Sequence, residues 1–361
     1  MKLERLQIQQ FRNLQNVSLV PAAGLNVIYG VNGSGKSSLL EAIHYLGFGR
    51  SFRSARHQHV IQHDTDSFTV FCKTLDEAST KSAAIGYQRL RSGESIIKVN
   101  GEQLSRTSDL VKLLPVQIFT PISSEVIHGA PNLRRRFLDW GLFHVEQSFL
   151  ALNGRYQQIL AHRNALLRKG SFNSQGAFWD ESLADSGEQV DKLRESYLER
   201  LLPYIYTNLS HFLPEFSFEI SYHSGWDRSK SLAEVLKQNM PRDLKYGFTS
   251  QGPHKADLRV KADGIAAQEV LSRGQARMLM AALLLSQSQY LLQEKQKGCV
   301  FLLDDIGAEL DAVKREAFIK ELLKSSAQIF VTAVEKQHVD FVEDYKDKKM
   351  FHVEHGQVKE E

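Results

Sequence analysis

The residues best suited to chemistry stand in one early run, Gly30-Val31-Asn32-Gly33-Ser34-Gly35-Lys36-Ser37-Ser38. Its GxxxxGK[ST] spacing is that of a phosphate cradle, and the added Gly33 lets the backbone fold so that successive N–H groups converge on one anion. Glycine tolerates the positive φ that such a turn needs, and a helix opening at Lys36 presents unpaired N–H groups and the positive end of its dipole. Lys36 reaches the β- and γ-phosphates, and Ser37 is a ligand for Mg²⁺. An ordinary Gly/Ser turn has no need of the lysine.

A second concentration of chemistry lies near the other end of the chain. The apolar run Cys299-Val300-Phe301-Leu302-Leu303 ends in Asp304-Asp305, and two adjacent carboxylates at a strand end are costly without a cation or polarised water beside them. Asp304 is placed to hold Mg²⁺ through its water shell, and Asp305 to orient and polarise an attacking water. Thr332 closes the run Ile329–Thr332, where a γ-phosphate sensor would sit. Between these lies Leu271-Ser272-Arg273-Gly274-Gln275, ahead of a helix-rich stretch from Ala276 to Glu294. Ser272 and Gln275 meet the S-x-x-Q capping box, which needs only a well-started helix; the same N-terminus, with the Gly274 backbone, can also bind an anion.

These groups need scaffolding to meet. Leu25–Tyr29 reads as the strand that feeds the cradle, and Leu39, Leu40, Ile43 and Leu46 fall at helical spacing behind it. Leu3–Ile8 and Val17–Val20 read as strands, as do Ser67–Thr74, Ala83–Leu90 and Ser95–Val99, an antiparallel β-subdomain with turns at Gly93 and Gly101. Val116–Phe119 is a further strand. From Pro131 to about Lys169 the pattern is helical, Gly170 to Gly176 reads as a turn, and a second helix runs from Trp179 to Phe212, giving a short antiparallel arm. Phe216–Tyr222 returns to strand alternation and Leu232–Leu236 to a short helix.

Two basic clusters are ambiguous. Gly49-Arg50-Ser51-Phe52-Arg53 and Arg56, with arginines three apart and aromatic residues between, suit a phosphate backbone or nucleotide, or simply a solvated face. Arg134-Arg135-Arg136 fan over more than half a helix circumference, which favours a salt-bridged helix over a single partner. The polar loop Ser250–Arg259 is compatible with a plain turn.

The whole chain, 361 residues with net charge +3, is long enough for two domains and too mildly basic to prove a nucleic-acid partner. Cys72 and Cys299 sit in apolar runs as reduced core residues. The opening Met1–Arg5 has no apolar secretory region, and the apolar stretch Met278–Leu285 is far short of the roughly 20 residues of a membrane span, so a cytoplasmic protein without a membrane partner is expected.

Taken together these motifs resemble the ATP-binding-cassette head, and the chain is similar to the RecF family of bacterial DNA-repair proteins. The resemblance rests on Phe11-Arg12-Asn13, Gly49–Arg53, Pro131 through Asp139, Gly252-Pro253-His254, Leu271–Gln275 and Leu303–Asp305. Arg273 stands where transporter cassettes carry glycine, and after Thr120-Pro121 the run Ile122-Ser123-Ser124 precedes Glu125 where relatives place an acid at once. The long separation of Lys36 from Ser272 implies an inserted lobe.

The resemblance implies an α/β fold, a P-loop ATPase head with an antiparallel β-subdomain and an inserted helical lobe. Its segments would be residues 1–120 and 266–361 for the ATPase lobe and 121–265 for the insert. It implies a nucleotide site of Arg12, Asn13, Gly30, Asn32, Gly33, Ser34, Gly35, Lys36, Ser37, Ser38 and Thr332 in one copy and Ser272, Arg273, Gly274 and Gln275 of a second. The cofactors implied are ATP and Mg²⁺. The implied activity is a slow, DNA-stimulated ATPase that dimerises on ATP, binds single- and double-stranded DNA at gaps or stalled forks, and helps load a recombinase with RecO- and RecR-type mediators. A transporter ATPase subunit is the competing expectation, and a non-catalytic DNA-binding scaffold a third.

Overall fold

The computed structural model describes residues 1–76, 81–170, 174–335 and 345–361. Its strands form three sheets among the described residues, and the chain divides into two compact units, residues 1–123 with 277–361 and residues 124–276.

In the first unit, the fully buried strand Leu25–Tyr29 lies in a mixed sheet ordered Gln357–Glu360, Lys348–Glu354, Leu25–Tyr29, Gln328–Ala333, Val300–Leu303, Val116–Phe119. All pairings are parallel except that of the edge strand Gln357–Glu360. Such strands are apolar along their length because both faces are covered, as Cys299–Leu303 suggests in sequence. The second sheet, wholly antiparallel, runs Leu14–Leu19, Lys2–Phe11, Ser67–Asp76, Lys81–Leu90, Ser95–Val99, Glu102–Leu104. Its strands alternate buried and exposed residues, as in Leu6, Ile8 and Phe11 against Arg5, Gln7 and Gln9. The helix Lys36–Phe48 shares one apolar core with both sheets, so enclosed that Lys36, Ser38, Glu41 and His44 are buried beside its leucines.

In the second unit, the expected continuous helix from Pro131 to Lys169 is broken. Helices Pro131–Val145 and Phe149–Lys169 are separated at Glu146, whose extended backbone and carboxylate, accepting from the Ser148 N–H (3.2 Å) and Oγ (2.8 Å), make a local turn. The following helix starts at Ser174 rather than Trp179; of the expected turn, Ser171–Asn173 lie outside the described residues. The two long helices form the antiparallel arm. Arg163 pairs with Asp180, and seven residues back Tyr156 faces Gly187, seven further on, where a Cβ would come within 3.2 Å of the ring.

The helix expected over Leu232–Leu236 continues through Pro241 to Tyr246, started by the Ser231–Glu234 capping box. Asp243, near its end, is drawn inward by Arg163. Strands Ile265–Ala266, Asp257–Ala262 and Phe218–His223 complete this unit. Of the arginine triplet, Arg134 pairs with Asp257 (2.7 Å), Arg135 donates to the Ala256 carbonyl (2.7 Å) and Arg136 is exposed, so the salt-bridged reading describes the first alone. The loop Leu271–Gln275 falls within the second compact unit, which extends to Ala276. Gln275 there donates to Glu215 (3.3 Å). The helix that follows begins at Arg273, one turn earlier than the apolar pattern from Ala276. Cys72 and Cys299 are buried free thiols, and among the described residues no helix is long and apolar enough to cross a membrane.

Packing in each unit can be tested at one position. Alanine normally stabilises a helix interior over glycine by about 1 kcal/mol, but a Cβ on Gly47 would lie 2.3 Å from Val116 Cγ2 and 2.5 Å from its Cβ. Gly47→Ala is therefore expected to destabilise the first unit by about 1–3 kcal/mol in urea unfolding. In the second unit the buried Arg163 donates to Asp180 (2.6 Å), Asp243 (2.8 Å) and Thr249 (2.8 Å). Arg163→Met strands the two carboxylates and is expected to cost about 3–5 kcal/mol, read as an earlier unfolding transition of that unit.

Candidate functional site

The cradle forms where strand Leu25–Tyr29 runs out at Gly30. A side chain there would put its Cβ 2.2 Å from the Val353 carbonyl, at a φ of 150° that L residues avoid. Gly35 (φ 124°) leads directly into helix Lys36–Phe48. The loop is braced from the N-terminal hairpin: Asn13 Nδ2 donates to the Ser34 carbonyl (3.1 Å), and Asn13 Oδ1 accepts from Ser38 Oγ (2.9 Å). Lys36 Nζ donates to the carbonyls of Gly30 (2.7 Å) and Val31 (3.0 Å).

Opposite the cradle stands Asp304, one residue past strand Val300–Leu303. Parallel register sets its neighbours: Leu303 pairs with Val331, which pairs with Val27, so Asp304, Thr332 and the end of the cradle strand share one edge of the sheet. Asp304 Oδ1 accepts from both Ser37 Oγ and Thr332 Oγ1, each at 2.9 Å. Thr332 Oγ1 in turn accepts from the Asp305 N–H (2.8 Å). Asp305 itself is left-handed (φ 52°, ψ 45°), a conformation costing a non-glycine residue of order 1 kcal/mol, and it turns its carboxylate to the cleft.

Burial makes these charges uneasy. It pushes the Asp304 carboxyl above its ordinary range, against the hydrogen bonds from Ser37 and Thr332 and the field of Arg53. It pulls the Lys36 ammonium down, against the attraction of Asp305 and Asp304. An arrangement in which an acid and a base both lean toward neutrality favours a guest that brings anions to Lys36 and a cation to Asp304.

Arg12, Asn13, Asn32, Gly33, Gly35, Lys36, Ser37 and Ser38 line the same cleft of about 350 Å³ as Asp304, Asp305 and Thr332. Gly30 and the buried Ser34 shape the loop behind that lining. Arg12 does not present a free guanidinium: it grips the buried Glu41 through Nε (2.5 Å) and Nη2 (2.7 Å). Ser272, Arg273, Gly274 and Gln275 are not among the lining residues. In their own unit Ser272 and Gln275 close the capping box, the Ser272 N–H donating to Gln275 Oε1 (3.0 Å) and the Gln275 N–H to Ser272 Oγ (3.3 Å).

One residue of the site was not singled out from the sequence. Glu41 accepts from Arg12 and Ser51 and lies 3.6 Å from Arg53, tying the arginine cluster to the cradle helix. Its signal was a lone acid in the apolar run Leu39-Leu40-Glu41-Ala42-Ile43. Arg53, one of the ambiguous cluster, faces the cleft as a cation. The same segment is pinned by His44, which stacks on Phe48 (4.2 Å, 4°) and is kept neutral by burial, lowered to about 3, while its Nδ1 donates to the Arg50 carbonyl (2.9 Å). Gln117 donates to buried Gln287 (3.0 Å), and Asp311 caps helix Ala312–Lys324 through the Lys314 N–H (2.9 Å).

Residues 2–359 match the family described as RecF/RecN/SMC N terminal domain. The chain is 53% identical over its full length to the DNA replication and repair protein RecF of Pseudoalteromonas atlantica, covering all of both proteins, and 42% identical to that of Shewanella baltica, covering 99% of each. It superposes on a solved structure of the recombination mediator protein RecF with ATP in the RecFOR pathway with a TM-score of 0.89 and 30% identity, over all of this chain and 97% of that one. An Smc head bound to the C-winged helix domain of ScpA shares the fold at 16% identity and a TM-score of 0.62, over all of this chain and 97% of that one. The fold is thus that of the SMC-type ATPase head, and with full-length identity to two RecF proteins the chain belongs to the RecF family.

Proposed function

We propose that this chain is an ATP-dependent DNA-binding protein of recombinational repair and replication-fork maintenance. The observation that carries this is Asp304, accepting hydrogen bonds from both Ser37 and Thr332, beside Lys36 in one cleft. Full-length identity with RecF relatives, rather than with part of a transporter, favours it over the transporter-subunit reading.

ATP fits the cradle, whose glycines leave the backbone open: a Cβ at Gly33 would meet nothing within 4 Å. Mg²⁺ fits as well, because Ser37 Oγ and Asp304 Oδ1, 2.9 Å apart, are hard oxygen donors of the type this ion takes while keeping phosphate oxygens and water in its other positions. When bound, the ion neutralises phosphate charge. Lys36 exchanges its two loop carbonyls for the β- and γ-phosphate oxygens, Arg53 adds positive charge at the cleft wall, and Asp305 orients the attacking water. Thr332, already bonded to Asp304 and to the Asp305 backbone, holds the two carboxylates in register.

The signature loop of a second copy, Ser272 to Gln275, closes over the nucleotide. Since ATP then binds the pair better than the single chain, mass action couples loading to dimerisation until hydrolysis removes the γ-phosphate. The dimer holds single- or double-stranded DNA at gaps, and with RecO- and RecR-type mediators helps load a recombinase.

Lys36→Met removes two charge-assisted bonds to phosphate and is expected to weaken ATP binding about 100-fold or more, read by titration with a fluorescent analogue. Asp305→Asn is expected to slow turnover by about 100-fold and leave a long-lived ATP dimer in sedimentation. Ser272→Arg should keep nucleotide binding by the single chain and lose the ATP-dependent dimer. A Ser272 variant that dimerises normally on ATP would overturn the shared site.

A further inference from the structure

The inserted unit carries half-exposed aromatic rings among cations, none of which lines the cleft described above. Helix Leu232–Tyr246 ends at Gly247 in a left-handed turn (φ 72°), and on either side Tyr246 is 56% and Phe248 43% exposed. Their ring centroids lie 6.0 Å apart. Lys245 Nζ sits 5.7 Å from the Tyr246 ring and Lys255 Nζ 5.2 Å from the Phe248 ring. Arg168, at the end of helix Phe149–Lys169, closes one side: a Cβ on Gly247 would be 3.0 Å from its Cγ. Arg242 is one helical turn before Tyr246 and exposed.

Among the described residues no acid is paired with the cations of this face. Asp243, the carboxylate within the stretch, is buried and turned inward to Arg163 (2.8 Å) and the Ser250 N–H (3.0 Å). Among the described residues no ion pair engages Arg168, Arg242, Lys245 or Lys255. The fold gains little from two exposed rings, which bury well below what a core aromatic does.

Planar apolar faces flanked by unpaired cations are what unstacked bases on a phosphate chain require. A duplex hides its base faces and would use the cations alone, and an acidic peptide would leave the rings without a planar partner. We propose that this face binds single-stranded DNA, with bases stacked on Tyr246 and Phe248 and phosphates held by Arg168, Arg242, Lys245 and Lys255. The assignment rests on the DNA-binding reading of the chain and adds where the unpaired strand is held.

The test uses the full-length protein with fluorescein-labelled oligo-dT, an abasic strand of equal length and a blunt duplex. The double variant Tyr246→Ala/Phe248→Ala is expected to weaken oligo-dT binding about 10- to 100-fold while abasic-strand and duplex binding stay within about twofold. Tyr246→Trp/Phe248→Trp should retain oligo-dT binding, and nucleotide turnover without DNA should match wild type in both variants. Lys245→Gln/Lys255→Gln should flatten the log affinity against log salt slope for oligo-dT by about 1.4. Oligo-dT affinity unchanged by loss of both rings, an equal loss for the duplex, or polyglutamate outcompeting oligo-dT at equal charge would each overturn the assignment while leaving the DNA-binding reading intact. A wild-type protein that binds none of the three DNAs would overturn both.

Discussion

The site depends on one buried carboxylate. Asp304 sits at the end of a central parallel strand and is held by hydroxyls that arrive from either side, Ser37 from the cradle helix and Thr332 from the neighbouring strand. A carboxylate in that position is disfavoured by burial and tolerated because both hydroxyls donate to the same oxygen. The parallel register makes this possible. With Leu303 opposite Val331 and Val331 opposite Val27, the next residues, Asp304 and Thr332, stand level with Ile28 at the carboxyl edge of the sheet. Loss of that register by one residue would turn Asp304 or Thr332 to the wrong face.

Around this point the structure places strain and charge where a phosphate ligand can use them. Arg12 and Asp305 both adopt positive φ, and each is over-determined by its surroundings: Arg12 by the fork onto Glu41 and Asp305 by its amide on Thr332. Glu41 matters for the same reason as Asp304. A buried carboxylate needs cations, and by gathering Arg12 and Arg53 it sets the N-terminal hairpin and the arginine segment beside the cradle. Arg53 lies far enough from Glu41, 3.6 Å, to share its charge with the cleft.

The cradle was legible because its information is local: glycine spacing, a lysine and a hydroxyl in nine consecutive residues, flanked by an apolar strand and a periodic helix. Asp304 and Asp305 were legible because a pair of acids directly after a buried apolar strand is unstable unless a cation or a bound water compensates it. What escaped is non-local. Glu41 meets Arg12 across 29 positions, and Arg163 meets Asp243 across 80, and no periodicity announces either pair. The helix break at Glu146 was invisible for the opposite reason, since it depends on a weak side-chain turn with no proline or glycine at the break. The fold followed the same division. Strand Leu25–Tyr29 has the bounds its apolar run suggests, whereas helix Leu232–Tyr246 runs through a proline because Leu232, Val235, Leu236 and Asp243 bury one continuous face.

The helix cap at Ser272 is compatible with the anion site proposed for the same loop. In the capping box Ser272 Oγ is an acceptor for the Gln275 N–H, which consumes a lone pair and leaves the hydroxyl proton to donate. The Ser272 amide is taken by Gln275 Oε1, and the Ala276 amide by the Ser272 carbonyl. Helix geometry leaves the amides of Arg273 and Gly274 without an intrahelical acceptor, at the positive end of a helix that runs to Lys295. An arriving phosphate oxygen would therefore meet a hydroxyl, two amides and a guanidinium on a tip whose shape the capping box has already set. Because the cap already fixes the loop, the proposed binding would not have to supply the ordering entropy.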